Sequence, residues 1–323
     1  MTELTVPRAV AVIGTNVIGR SWMRVFARAG YETRVWDPDP AQVEEAWEWM
    51  KADLKRARRE LGLRKRVARE ERSQVVRCET LEEAVNGAVW VQENGPAEVE
   101  GKRTVFRQLD KLAPPKSVIA SSSATPDMTT IAEGLSGASR CVIANPVNPP
   151  HVISLVEVVG GKRTEQLMLR RAVRFLERVG QIPVLLSSYV PGLLLGRLQA
   201  AVLREAIQLV QRGLASPEAV DTVVREGLGL RWALMGPFAV WNTTTDGGIR
   251  EFFQKHGDAF EQLCSELDHD LKVTPQLVDH IARSVDGTWR RVPRSVQREW
   301  RDDMVVRIRA LKDAYPIMPP DLD

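Results

Sequence analysis

Residues 9–37 read AVAVIGTNVIGRSWMRVFARAGYETRVWD. Ala9 to Ile13 is an unbroken apolar run, the pattern of a strand buried on both faces. Gly14 opens a turn. Beyond it Ile18, Trp22, Val25, Phe26 and Ala29 recur at helical spacing, and Gly30 is a natural helix stop. Tyr31 to Trp36 reads as the next strand, closed by Asp37 and the breaker sequence Pro38-Asp39-Pro40. Strand, helix and strand within about 30 residues make a βαβ unit, and hence a parallel sheet.

The pattern continues outward. Further strands are predicted at 75–78, 89–92 and 117–121, then at Val142–Ala144 and Leu155–Val159. A helix over Glu165–Val179 and a strand near Ile182–Leu186 complete the sheet. The predicted fold is α/β, a Rossmann-type, doubly wound, mostly parallel sheet over residues 1–187. From Pro191 the texture changes. GLLLGRLQAAVLREAIQLVQRGLA reads as one long helix, apolar over much of its surface, and the remainder reads as helices joined by Gly and Pro signals. Residues 188–323 are therefore expected to form an all-α domain that binds substrate and makes a homodimer.

Composition bounds the partners. The chain has 323 residues, 44% hydrophobic and 27% charged, with a net charge of +3. The charges are interleaved rather than massed, which argues against nucleic acid. The basic stretch KADLKRARRELGLRKRVAREERS (51–73) carries acids throughout and reads as a solvated helical hairpin. Three cysteines, Cys78, Cys141 and Cys264, fit a reducing compartment, with no zinc-type spacing. The start lacks the layout of a signal peptide, and no apolar run approaches the roughly 20 residues of a membrane span. A cytoplasmic protein with a small-molecule substrate is expected.

The turn itself is Gly14-Thr15-Asn16-Val17-Ile18-Gly19. Dinucleotide-binding turns place glycines first, third and sixth, for the tight turn, the approach of the pyrophosphate and close helix–strand packing. Here Asn16 holds the middle position. Asn tolerates left-handed backbone, yet its side chain is expected to crowd the pyrophosphate. Asp37, ending the second strand, can accept from a ribose diol and repels a 2′-phosphate, so NAD (NADH) is the expected cofactor. The competing reading is a vestigial nucleotide site.

Four stretches carry a resemblance: GTNVIG with Asp37, ANPVNPP followed by LVEVV (144–159), VPGLLLGRLQ (190–199) and GLGLRWALMGPF (227–238). Together they resemble the 3-hydroxyacyl-CoA dehydrogenase family, in the short-chain branch that holds lambda-crystallins and L-carnitine dehydrogenases. The resemblance implies that Gly14, Asn16, Val17, Ile18, Gly19, Asp37, Glu93, Lys102 and Ser122 lie at the cofactor. In such enzymes a glutamate orients a histidine that deprotonates the substrate hydroxyl, and a serine and an asparagine hold the oxygen. Glu157 falls on the glutamate. Asn145 stands where the family has its histidine, Thr125 where it has its serine, and Gly196 where it has its helix-borne asparagine. Asn148 matches a family asparagine.

An amide cannot titrate, so the usual proton path is missing. Of the four histidines, His151 lies in the same irregular segment as Asn145 and is a possible substitute or a structural residue; His256, His269 and His280 read as solvated. Glu157 has three readings: an acid or base with a pKa raised by burial, an anchor for a cationic substrate, or a buried carboxyl held by Asn145 or a backbone donor. Arg231, Trp232 and Trp241 are candidate substrate contacts, a carboxylate fork beside an aromatic wall, with helix packing as the alternative. The expected function is an NAD-dependent oxidoreductase on a small polar hydroxy acid, keto or imine-type substrate. The alternatives are a non-redox lyase, cyclase or isomerase using Glu157, and a non-catalytic crystallin-like protein.

Overall fold

The run Ala9–Ile13 forms β1, buried along its whole length. The computed structural model describes residues 9–60, 62–267, 274–288 and 292–314. His269 and the first eight residues, whose lack of a signal pattern was noted above, lie outside the described residues.

After β1 come α1 (Val17–Arg28), β2 (Glu32–Trp36), the helical hairpin α2 (Pro40–Glu60) and α3 (Lys65–Ser73), and β3 (Val75–Arg77). The chain then crosses to the other side of β1 through α4 (Leu81–Val85), β4 (Trp90–Glu93), α5 (Val99–Leu112), β5 (Val118–Ser121) and α6 (Met128–Ile131). It ends the sheet with β6 (Cys141–Pro146), β7 (Leu155–Gly160), α7 (Gln166–Arg178) and β8 (Ile182–Leu185). The strand order is β3-β2-β1-β4-β5-β6-β7-β8. Every neighbouring pair is parallel except β6 with β7. The order reverses between β1 and β4, so their carboxyl ends open a crevice of the kind that takes ligands in doubly wound sheets.

Each face of the sheet has its own apolar layer. Trp22, Phe26, Trp90 and Phe175 pack on the side of α1 and α7, while Phe106, Leu109, Met128 and Ile131 pack on the side of α5 and α6. The hairpin α2–α3 departs from the purely solvated reading. It buries Asp53 and Glu71, both of which pair with the buried Arg24 of α1.

The chain divides into two compact units at Leu195/Gly196. This boundary lies eight residues beyond the one expected at 187/188, and helix α8 (Leu193–Gln211) starts in the first unit. The rest of the second unit consists of α9 (Pro217–Thr222), a wide helical turn over Val223–Gly229, α10 (Leu230–Trp232), α11 (Pro237–Asn242), α12 (Gly248–Glu266), α13 (Pro275–Thr288) and α14 (Arg294–Ala314). Among the described residues, no helix is long and apolar enough to cross a membrane.

Candidate active site

The crevice begins at Gly14. Its φ of +85° is a left-handed conformation, and a Cβ there would lie 2.9 Å from the Asn94 carbonyl carbon. Gly19 has no room either, since its Cβ would fall 1.9 Å from the Gly14 carbonyl oxygen. Both outer glycines therefore do what a nucleotide turn asks of them. Asn16 stands between them. Its φ is −57°, an ordinary value, and it sits at the N-cap of α1. Asn16 Oδ1 accepts from the amides of Ile18 (3.0 Å) and Gly19 (3.1 Å), and Nδ2 donates to Asn94 O at 2.6 Å. The side chain turns down into the cap and takes up two of the helix-start amides. Val17, the first helical residue, is exposed.

Asp37 accepts from Thr15 N (2.8 Å), Thr15 Oγ1 (3.2 Å) and Asp39 N (3.1 Å). A carboxylate offers about four lone-pair sites, so the turn leaves it one for a ribose hydroxyl. The glycine cradle, the helix start and a half-buried carboxylate closing β2 fit NAD.

Three residues expected at the cofactor have side chains engaged within the protein. Glu93 and Lys102 form an ion pair with both side chains at 0% exposure, at 2.8 and 3.0 Å. Glu93 also accepts from Gly95 N (2.7 Å) and Ser121 Oγ (2.8 Å). Neither side chain is accessible to a ligand; the pair fixes the loop after β4. Ser122 Oγ accepts from Trp22 Nε1 and Gln92 Nε2 and donates to Asn94 Oδ1 at 2.7 Å. Its hydroxyl is spent inside the protein, where it steadies Asn94 against Gly14 O.

The antiparallel step between β6 and β7 sets Asn145 directly opposite Glu157. Alternation along each strand puts both on one face, opposite Ala144 and Val158. Asn145 Nδ2 donates to Glu157 Oε2 at 3.3 Å. Because a carboxylate only accepts, it is the amide nitrogen that must face it. Glu157 Oε1 accepts the amides of Leu194 (2.7 Å) and Leu195 (2.9 Å), the first turn of α8. Gly192 (φ 82°) and Leu193 (φ 50°) turn the chain so that these amides meet the carboxylate. Glu157 is 2% exposed and already holds three donors. Its contacts are those of the third reading, a carboxyl held by Asn145 and by backbone donors. It positions Asn145 and the start of α8, and the acid–base reading, with the non-redox chemistry built on it, finds no free access to the carboxyl.

Thr125 lies in the loop after β5, exposed, with its hydroxyl 3.5 Å from Tyr189 Oη. Asn148 is exposed beyond β6. A Cβ at Gly196 would meet nothing within 4 Å among the described residues. His151 does not substitute for the missing imidazole. It is buried beside Trp49, with ring centroids 5.2 Å apart and Nε2 3.7 Å from Asp53. Burial pushes its pKa down to about 3, so it is neutral there. His256 and His280 are exposed, as read. In the second unit Arg231 and Trp232 are exposed, and Arg231 Nε donates to Gly227 O at 3.4 Å. Trp241 packs on Phe252 with centroids 4.5 Å apart, and no ring contact joins it to Trp232 among the described residues.

Residues 9–189 match the model of the 3-hydroxyacyl-CoA dehydrogenase NAD-binding domain, and residues 192–282 match that of the family's C-terminal domain. The chain belongs to the 3-hydroxyacyl-CoA dehydrogenase family. As a member of that family it is an NAD-dependent dehydrogenase. It is 34% identical to the lambda-crystallin homolog of Bos taurus over 96% of this chain and 97% of that one. It is 36% identical to the L-carnitine dehydrogenase of Streptomyces coelicolor, over 84% of this chain and 86% of that one. Among solved structures, an NAD-dependent 5-formyl-3-hydroxy-2-methylpyridine 4-carboxylic acid 5-dehydrogenase shares the fold, with a TM-score of 0.78 at 24% identity over 95% and 99% of the two chains. Within this dehydrogenase family, the signals missed in sequence were the capping role of Asn16, a favoured N-cap residue, and the interior role of Lys102.

Proposed function

We propose that this dehydrogenase exchanges hydride between NAD and a small polar substrate carrying a carbon–nitrogen double bond, or the matching amine. The observation that carries the proposal is the Asn145–Glu157 pair, an amide held by a buried carboxylate. Reduction of a ketone needs a proton at oxygen as well as hydride at carbon. Without an acid–base group that step loses on the order of 10²–10⁴ in rate. An iminium nitrogen already carries its proton, so hydride alone completes the reaction.

The nicotinamide ring supplies or accepts the hydride when bound. Gly14, Val17 and Asp37 would hold the dinucleotide, with Asn16 keeping the helix start in shape. Asn145 spends a donor on Glu157, which leaves its Oδ1 as an acceptor for a substrate N–H. The charge of Glu157 behind the amide favours a cationic iminium over a neutral ketone. Thr125 and Asn148, in the loops after the adjacent strands β5 and β6, would orient the substrate, and Gly196 would leave it room. Arg231 is our candidate anchor for a substrate carboxylate, with Trp232 and Trp241 as aromatic contacts. The test is NADH oxidation over a panel of imines and ketones, with NAD reduction over hydroxy acids. Turnover of imines well above ketones supports the proposal; turnover of hydroxy acids and ketones alone refutes it.

We also propose a homodimer assembled through the second unit. Leu198 and Leu203 of α8 are each 60% exposed, apolar side chains that a second copy would cover. Light scattering should give twice the chain mass for the native protein and the monomer mass for Leu198→Glu/Leu203→Glu. A native monomer at all concentrations contradicts this assembly.

A further inference from the structure

At the edge of the sheet away from the nucleotide turn lies a cavity of about 500 Å³. Its floor is where strands begin: Trp90 opens β4, Val118 opens β5 and Tyr31 precedes β2. From Trp90 to Glu93 the strand covers about 10 Å, so a molecule seated here does not reach the hydride-transfer crevice.

One wall is α7, which presents Arg171, Arg174 and Arg178 on a single stripe. Lys116, just ahead of β5, adds a fourth cation. Among the described residues no carboxylate lines the cavity, and none of the four cations is ion-paired. Among the described residues, the one side-chain polar contact of the group is Arg171 Nη1 with Met168 Sδ, at 3.8 Å. Elsewhere in the same unit arginines meet acids: Arg24 meets Asp53 and Glu71, Arg103 meets Glu133, and Arg140 meets Asp110. Four like charges around one concavity repel each other, and only an anion turns that field to advantage.

The frame behind the cations is rigid. Phe175 stacks on Trp90 with centroids 4.4 Å apart and meets the ring of Tyr31 at 5.5 Å. Ala172 and Leu176 are fully buried, so the arginine-bearing backbone is fixed on the sheet. Guanidinium groups match phosphate oxygens two at a time, and the volume falls in the range of small-molecule sites.

We infer that this cavity is a second ligand site, separate from the dehydrogenase crevice, for a small polyanion bearing a phosphate chain. The chain of phosphates is either free or carried on a nucleoside whose base lies over Tyr31 and Leu167. The test is calorimetric titration of the full-length protein, saturated with NADH, with inorganic triphosphate and in parallel with ATP. One site per chain is expected, weakening as salt is raised. Arg171→Gln/Arg174→Gln/Arg178→Gln should weaken binding at least tenfold and leave NADH affinity and the probe-free melting temperature unchanged. Lys116→Glu alone should weaken it in the same direction. Tighter binding of ATP than of triphosphate assigns a nucleotide; equal binding assigns the phosphate chain alone. Absence of saturable binding, equal binding by the variants, or binding that appears only when NADH is left out overturns the inference.

Discussion

Two buried carboxylates flank the crevice, and they are neutralised in different ways. Glu93 ends β4 and meets a full positive charge, Lys102, with both side chains sealed from solvent. Glu157 in β7 meets no cation. It is held by two backbone amides at the start of α8 and by the amide of Asn145. The first arrangement is closed and structural. The second uses partial charges, and it leaves Asn145 half-exposed with an acceptor to spare. A charge balanced by dipoles can hold a working group at the surface of a cleft; a charge balanced by a charge locks a loop.

Removing one partner of the first pair should be the costlier change. Lys102→Met leaves Glu93 buried and uncompensated, and chemical denaturation should show a loss of about 3–5 kcal/mol. Adding Glu93→Gln should recover most of it. If Lys102→Met is neutral, the pair is not sealed as described.

At the second carboxylate, Glu157→Ala strands the Leu194 and Leu195 amides and should cost about 1–3 kcal/mol, with faster hydrogen exchange at those two amides. Glu157→Gln should cost less. Its carbonyl can still accept both amides, and its NH₂ can donate to Asn145 once that amide rotates. Equal losses in the two variants would break the distinction between charge and dipole.

A third buried cluster sharpens the contrast, because it titrates. His151 faces Asp53 among Arg24, Arg28 and Arg56, and burial holds its pKa near 3 against an ordinary 6.5. The unfolded chain therefore binds a proton that the native protein refuses. Stability should fall as pH drops from about 6.5 towards 3, by up to about 1.4 kcal/mol per pH unit. Asp53 adds its own loss lower down. Burial raises its pKa, but Arg24 and the hydrogen-bonded Arg56 outweigh that and hold it below the usual value. Replacing His151 with Gln should flatten the upper limb by one proton, read from denaturation midpoints across pH.

The smallest effects belong to Asn16. Asn16→Ala should cost about 1 kcal/mol as a lost cap, and Asn16→Gly only a few tenths. Asn16→Gly should leave NADH affinity within about threefold of the parent protein, as expected if the side chain serves the cap rather than crowding the pyrophosphate. A large gain in affinity would restore the crowding interpretation.

The fold was legible because its signals are local: the run Ala9–Ile13, the glycine turn and Asp37 all lie within one βαβ unit. The departure at Asn145 was legible only through the family resemblance. What sequence hid was contact across long separations. Glu157 finds its donors 37 residues further on, where Leu193 takes a positive φ that nothing in VPGLLLG announces. Lys102, expected at the cofactor, sits in a charged helical stretch; only the packing of α5 against the sheet buries it against Glu93. His151 follows two prolines in a segment that looks like a loop at the cleft, yet it folds under α2. The cavity lined by the arginines of α7 exists only once β4 and β5 are laid beneath it.

The central claim is that Asn145, held by Glu157, serves a reaction that needs no imidazole. The direct measurement is the ratio of imine to ketone reduction by NADH in the native enzyme and in Asn145→His, across pH. The native enzyme should favour the imine and show no limb near the imidazole pKa, while the variant should gain ketone reduction by about 10²–10⁴ and acquire that limb. A native enzyme that reduces ketones as fast as Asn145→His does, with the same pH profile, would contradict the account.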